Sequence, residues 1–141
     1  MSDFDLDNFL PYQLSVLASR VSREFAKTYG ARFGLSIPEW RVMAHLSQSE
    51  AISVRDLHLR ADLEKSKASR AVSRLEEAGM VDKRVSSTDR RLLEVSMTPM
   101  GRDAMAELIP MALNFEKGVI EALSAKDRAA LSRILSVLLT P

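Results

Sequence analysis

Apolar residues recur at three- and four-residue spacing along most of the chain. Leu14, Leu17, Val21 and Phe25 predict a first helix over about Leu10–Tyr29, with Gly30 and Gly34 as stop signals. Ser36-Ile-Pro-Glu39 has capping-box spacing, and Pro38 suits a first turn. The helix it opens carries Trp40, Val42, Met43 and Leu46 as a mainly buried set. Ser53 then caps a short helix through "SVRDLHLR", with Val54, Leu57 and Ala61 on one side. Asp62-Leu63-Glu64 makes a tight turn into "KSKASRAVSRLEEAG". There Ala68, Ala71, Val72, Leu75 and Ala78 form an apolar face, and Gly79 is a left-handed terminator.

The period then changes. In "VDKRVSSTDRRLLEVSMTPMG", Val81, Lys83 and Val85 alternate with Asp82, Arg84 and Ser86, and Leu93, Val95 and Met97 alternate with Glu94 and Ser96. Period two on both sides of the polar "SSTDRR" predicts a hairpin. Thr98-Pro99 caps a long helix to about Leu123, expected to bend at Pro110, where a backbone donor is missing. Ser124-Ala-Lys-Asp127 opens a last helix rich in Leu, Ile and Val. Met100, Met105 and Met111 are expected to fill gaps between helices. A short helix, a tight turn, a helix with a polar outer face and then a hairpin make a winged helix-turn-helix. The predicted fold class is mainly α, with a two-stranded β-hairpin wing.

Charge sharpens this picture. A net charge of +1 on 141 residues suggests no polyanionic partner. Yet Lys65–Arg74 carries +4 and Lys83–Arg91 carries +3, which leaves −6 for the rest. Basicity focused on one helix face and one hairpin tip is the footprint of contact with phosphate. Basic residues on a lone helix are more often a solvated face, and paired arginines on a lone loop are usually surface charge. Their adjacency here favours DNA. Short side chains on the helix suit base edges in a major groove about 12 Å wide, and arginine at the tip suits a narrow minor groove.

Composition excludes other classes. With 46% apolar and 28% charged residues the chain is an ordinary globular domain. Cysteine is absent, so disulfides, thiolate metal sites and thiol redox sensing are excluded. His45 and His58 have no ligand-spaced acids beside them, and no metal or other cofactor is expected. No stretch approaches the ~20 apolar residues of a membrane span, and the acidic N-terminus lacks a signal-peptide run, so the expected location is cytoplasmic. An enzyme is not expected. No carboxylate pair in a cleft pattern, glycine-rich phosphate loop or base near a serine nucleophile is present.

"LRADLEKSKASRAVSRLEEAGMVDKRVSSTDRRLLEVSMTPMG" resembles the helix-turn-helix and wing of the MarR family of bacterial transcription regulators. "LSIPEWRVMAHL" and the long terminal helices fit as well, so the resemblance covers nearly the whole chain. Met97-Thr98-Pro99 departs from the commoner Leu-Thr-Pro, a small change. The resemblance implies a single domain over 1–141. It has a winged-helix lobe at about 36–98 and dimerisation helices at about 1–30 and 99–141. It implies a homodimeric regulator, most readily a repressor, on a pseudo-palindromic operator in double-stranded DNA. Many members release DNA when a small aromatic acid, or oxidation of a thiol, reshapes the dimer. Here the absence of cysteine removes the thiol and leaves a small aromatic or carboxylate effector, a partner, or no ligand at all.

Carried over residue by residue, the resemblance puts Ser66, Lys67, Ser69, Arg70, Ser73 and Arg74 at the major-groove face. It makes Arg91 the minor-groove arginine and Asp89 its brace, although aspartate also favours turns for its own sake. Lys83 and Arg90 would contact phosphate, Arg90 being equally readable as spare charge. The family's ligands lodge near the first, second and fifth helices, where Tyr29, Trp40, Arg41 and His45 fall. Arg41 and His45, one turn apart, could together meet a carboxylate, though solvated or core-paired states account for both more readily. Trp40 and Met43 at helical spacing are more often core than pocket. Ile134, Leu135, Leu138 and Leu139, with Phe4, Leu6, Phe9 and Leu10, exceed what a lone winged helix needs and suggest an intersubunit core. The alternatives are a last helix folded back on its own subunit and, for function, a winged-helix protein-interaction module without specific DNA binding.

Overall fold

A computed structural model describes residues 3–141. Leu6–Asn8 form a 3-10 turn, followed by α1 (Leu10–Phe33), α2 (Ile37–Leu46), β1 (Ile52–Ser53), α3 (Val54–Arg60) and α4 (Lys65–Glu77). The wing strands β2 (Val81–Val85) and β3 (Leu93–Met97) lead into α5 (Pro99–Ile120) and α6 (Ala125–Leu139). The fold is mainly helical with one small antiparallel sheet, as the residue pattern predicts.

Four helices begin on hydroxyl caps visible in the sequence. The side-chain oxygens of Ser36, Ser53, Thr98 and Ser124 accept from the backbone N–H groups of Glu39, Asp56, Gly101 and Asp127. Each satisfies a donor that the first helical turn leaves unpaired. Ser36 also donates its hydroxyl hydrogen to the Glu39 carboxylate, so Glu39 reaches back to the side chain of its cap.

Several expectations need correction. Gly30 does not end α1; the helix runs on to Phe33, and Gly34, with φ of 69°, is the left-handed cap. Buried Tyr29 and half-buried Phe33 flank Gly30, and their packing outweighs the cost of about 1 kcal/mol for glycine inside a helix. The two-stranded wing is present as predicted, and a third strand extends its sheet, in the order β1-β3-β2. The added strand is only Ile52–Ser53, paired to Val95 and Glu94, and two residues are too few to show an alternation. Ala78, the C-cap of α4, is exposed, and Met100 lies exposed over Gly79 rather than filling a gap. Met105 is buried and Met111 packs against the core, as expected. The helix that holds Pro110, α5, ends at Ile120 rather than Leu123.

The core joins α1, α2 and the start of α5 to the winged lobe. Val42, Met43, Leu57, Val72, Leu75, Val81, Val95 and Leu108 are essentially sealed from solvent. Leu6, Leu10, Leu14 and Leu17 at one end of the chain and Ile134, Leu135, Leu138 and Leu139 at the other remain exposed, and α6 buries no residue. Among the described residues no helix is long and apolar enough to cross a membrane.

Candidate nucleic-acid interface

In α4, Ala68, Ala71, Val72 and Leu75 are buried against α2 and α3. At 3.6 residues per turn this leaves Ser66, Lys67, Ser69, Arg70, Ser73 and Arg74 on the opposite side, and all six are exposed. Lys67, Arg70 and Arg74 converge on one shallow depression with Ser36 and Pro38 at the start of α2. Glu39 also lines the depression, but no large apolar residue interrupts the exposed face of α4, where serines and cations predominate. The turn before α4 is held by Asp62, whose φ is 53°, and by the Leu63 N–H donating to the His58 carbonyl. His58 Nδ1 lies 3.3 Å from the Leu63 carbonyl oxygen, so as a donor it pins the same turn.

The wing is a five-pair ladder from Val81↔Met97 to Val85↔Leu93. At its tip Arg91 donates from Nε and Nη2 to the two carboxylate oxygens of Asp89, at 3.0 and 3.1 Å. The Arg91 backbone N–H also donates to Asp89, at 3.1 Å. The fork-on-fork pair holds the Asp89 carboxyl below its ordinary pKa, chiefly through the side-chain bonds to Arg91, and raises that of the guanidinium in turn. The Arg91 side chain is nevertheless 89% exposed. Two of its five side-chain N–H donors are engaged by Asp89, which leaves three. Asp89 thus both shapes the turn and braces the arginine.

Arg90 is exposed, and among the described residues no hydrogen bond or ion pair orients its side chain. Lys83 differs from the other cations, because its ammonium lies 3.4 Å from Glu76 of α4 and is half-buried. That pair ties the wing to the end of α4 and offsets much of the Lys83 charge.

Two residues near the wing escaped the sequence reading. Ser86 is buried at the base of the tip and bonds three groups of the loop. Its spacing to Asp89 repeats that of Ser53 to Asp56 and Ser124 to Asp127, a signal masked by the alternating pattern around it. Arg55, in the first turn of α3, places a positive field on Asp89.

A cavity of roughly 410 Å³ opens between α1, α2 and α5. Phe25, Tyr29, Trp40 and Phe115 supply aromatic walls, while Arg41 and Glu116 bring one charge of each sign. Tyr29 and Trp40 stack with centroids 5.5 Å apart, and Phe25 packs on both by its edge and on Phe115 by its face. Burial raises the Tyr29 pKa, although the Arg41 charge works against this, so the phenol stays neutral. Tyr29, Trp40 and Arg41 come together as expected. His45 does not line this space. It lies four residues, about 6 Å of helix rise, beyond Arg41, whereas the cavity is closed by the first turns of α2. Among the described residues no cluster of metal-ligating side chains forms around either histidine.

Residues 33–92 match the model of the MarR family. A protein of Thauera aromatica, named as a transcriptional regulatory protein for the hcr operon, is 27% identical over 80% of this chain and 68% of its own length. The HTH-type transcriptional repressor IacR of Pseudomonas putida is 23% identical over 96% of this chain and 80% of its own length. A MarR/EmrR family transcriptional regulator from Acinetobacter sp. ADP1 superposes with a TM-score of 0.84 at 26% identity, over 96% of this chain and 95% of the other. The family match lies on the lobe that carries α4 and the wing, and the superposition extends the likeness through the terminal helices: the chain carries a MarR-family winged helix-turn-helix and shares its fold with transcription regulators of that family.

Proposed function

We infer that the protein acts as a homodimeric repressor in the cytoplasm, reading a pseudo-palindromic operator with two copies of its winged lobe. The observation that carries this reading is the oriented Arg91 beside the all-polar outer face of α4. Within a lobe at about 36–98, Ser66, Lys67, Ser69, Arg70, Ser73 and Arg74 enter the major groove, and Arg91 reaches the adjoining minor groove. Arg90 contacts phosphate; Lys83, paired to Glu76, contributes less. The helices at about 1–30 and 99–141 join the two copies through the apolar residues that one chain leaves exposed. A two-fold dimer then reads half-sites about 10–10.5 base pairs apart, centre to centre.

A small aromatic carboxylate in the cavity of Tyr29, Trp40 and Arg41 releases the DNA, with its ring among the aromatic walls and its charge on Arg41. The cavity lies between α1 and α5, the helices that would join the subunits, and α2, which belongs to the reading lobe. Occupancy therefore bears on the spacing of the two lobes. The repressor reading is also supported by the likeness to IacR.

Selection of bound duplexes from a random DNA pool tests the whole reading. Recovery of a palindrome with half-sites one turn apart is expected. No enrichment would leave a protein-interaction module, a role disfavoured by an α4 face that exposes only serine, lysine, arginine and glutamate between Ser66 and Glu77.

A further inference from the structure

Ser86 inverts the pattern of the strand it ends. Val85 beside it is 58% exposed, whereas Ser86 is only 3% exposed in a loop otherwise open to solvent. Burying a hydroxyl costs free energy unless its bonds are made, and here they are. Ser86 Oγ accepts from the backbone N–H groups of Thr88 and Asp89, both at 3.2 Å, and shares a hydrogen bond with Thr88 Oγ1 at 3.1 Å. The Ser86 N–H donates to the Leu92 carbonyl, and the Leu92 N–H to the Asp89 carbonyl. The tip is therefore two fused turns. In the first, Ser86 gathers the chain toward Asp89; in the second, Asp89 gathers it toward Arg91.

We propose that Ser86 is a positioning residue for DNA reading, fixing through Asp89 the direction in which Arg91 leaves the wing. This rests on the assignment of Arg91 to the minor groove. The reasoning is one of preorganisation. An 89% exposed arginine loses rotamer freedom when it enters a groove, and a floppy seven-residue tip loses backbone freedom as well. A tip whose turn is already closed by Ser86 meets DNA with the second loss already incurred in folding. Nothing about Ser86 itself needs to touch DNA, since its hydroxyl is turned inward.

The test is a double-mutant cycle on the tightest duplex recovered from the random pool, with Ser86→Ala, Arg91→Ala and the pair. Loss of the buried bonds in Ser86→Ala should weaken binding about three- to tenfold. In the Arg91→Ala background the same change should cost less than about twofold, because the group being aimed is gone. Ser86→Thr, which keeps the acceptor, should bind within about twofold of the parent. Unchanged binding by Ser86→Ala, or an equal loss in both backgrounds, overturns the proposal while leaving the wing assignment intact. Unchanged binding by Arg91→Ala overturns the wing assignment, and the role of Ser86 falls with it.

Discussion

The α-carbon of Gly101 faces the backbone carbonyl of Met80 so closely that a methyl group there would lie 2.2 Å from the oxygen. Beside this contact the Thr98 hydroxyl donates to the Gly79 carbonyl at 2.6 Å and accepts from the Gly101 N–H at 3.1 Å. The first turn of α5 is thus docked directly on the exit of α4. The second half of the same helix, with Phe115 and Glu116, walls the aromatic cavity. One rigid element therefore runs from the cavity to the end of the reading helix.

Gly101 and Gly118 lie in the same helix yet should respond oppositely to alanine. Gly101→Ala forces backbone apart and should lower stability by about 2 kcal/mol or more. A methyl group on Gly118 meets nothing within 4 Å, so Gly118→Ala should be neutral or stabilising by up to about 1 kcal/mol. Urea unfolding of the two variants checks this; equal midpoints would show that the approach to Met80 relaxes freely.

Asp89→Asn removes a negative charge from the surface proposed to face DNA, so charge alone would strengthen binding. Loss of the fork on Arg91 should instead weaken it, by about two- to fivefold in a gel-shift titration. Because the pair lowers the Asp89 pKa, its contribution is present above the ordinary carboxylate pKa and lost only as pH falls through the lowered value. The ratio of parent to Asp89→Asn affinity should therefore stay constant between about pH 8 and pH 5. A ratio that declines across that window would mean that the brace is not the source of the difference.

Much of the lobe was legible because its signals are local. Ser36, Ser53, Thr98 and Ser124 each announce a helix start by chemistry confined to three residues. Ala68, Ala71, Val72 and Leu75 announce the buried face of α4 by period alone. What was missed depends on contacts between distant segments. Gly30 reads as a stop until Tyr29 and Phe33 are seen packed into the core. The strand Ile52–Ser53 exists only because β3 is there to pair with it. The Glu76–Lys83 pair and the withdrawal of His45 from the cavity follow from how helices and wing dock, which spacing does not encode.

The cavity reading has a built-in reporter, since Trp40 is the single tryptophan of the chain and stands in the aromatic wall. Titration with benzoate should change its fluorescence with saturation. Arg41→Ala should weaken that response about tenfold or more through loss of a charge-assisted bond, whereas His45→Ala should leave it unchanged. A linear, unsaturable change in the parent would remove the cavity from the account of regulation.

The terminal helices supply the last expectation. Leu135 and Leu138 of α6 are exposed in the single chain and lie within a run of exposed aliphatics. Contiguous apolar surface of this kind marks an interaction site rather than ordinary surface. Leu59 of α3 is also exposed but stands on the reading lobe, outside that run. If the terminal helices join two copies, light scattering should give about twice the 15.7 kDa chain mass for the parent and for Leu59→Glu. Leu135→Glu with Leu138→Glu should give the single-chain mass, because two buried charges on a two-fold axis are met by two more from the partner copy. Operator affinity should then fall by roughly 10²–10⁴, the advantage of two linked half-site readers over one. A double variant that stays dimeric would place the subunit contact elsewhere. One that turns monomeric with undiminished affinity would separate DNA reading from dimerisation and remove the need for a palindromic site.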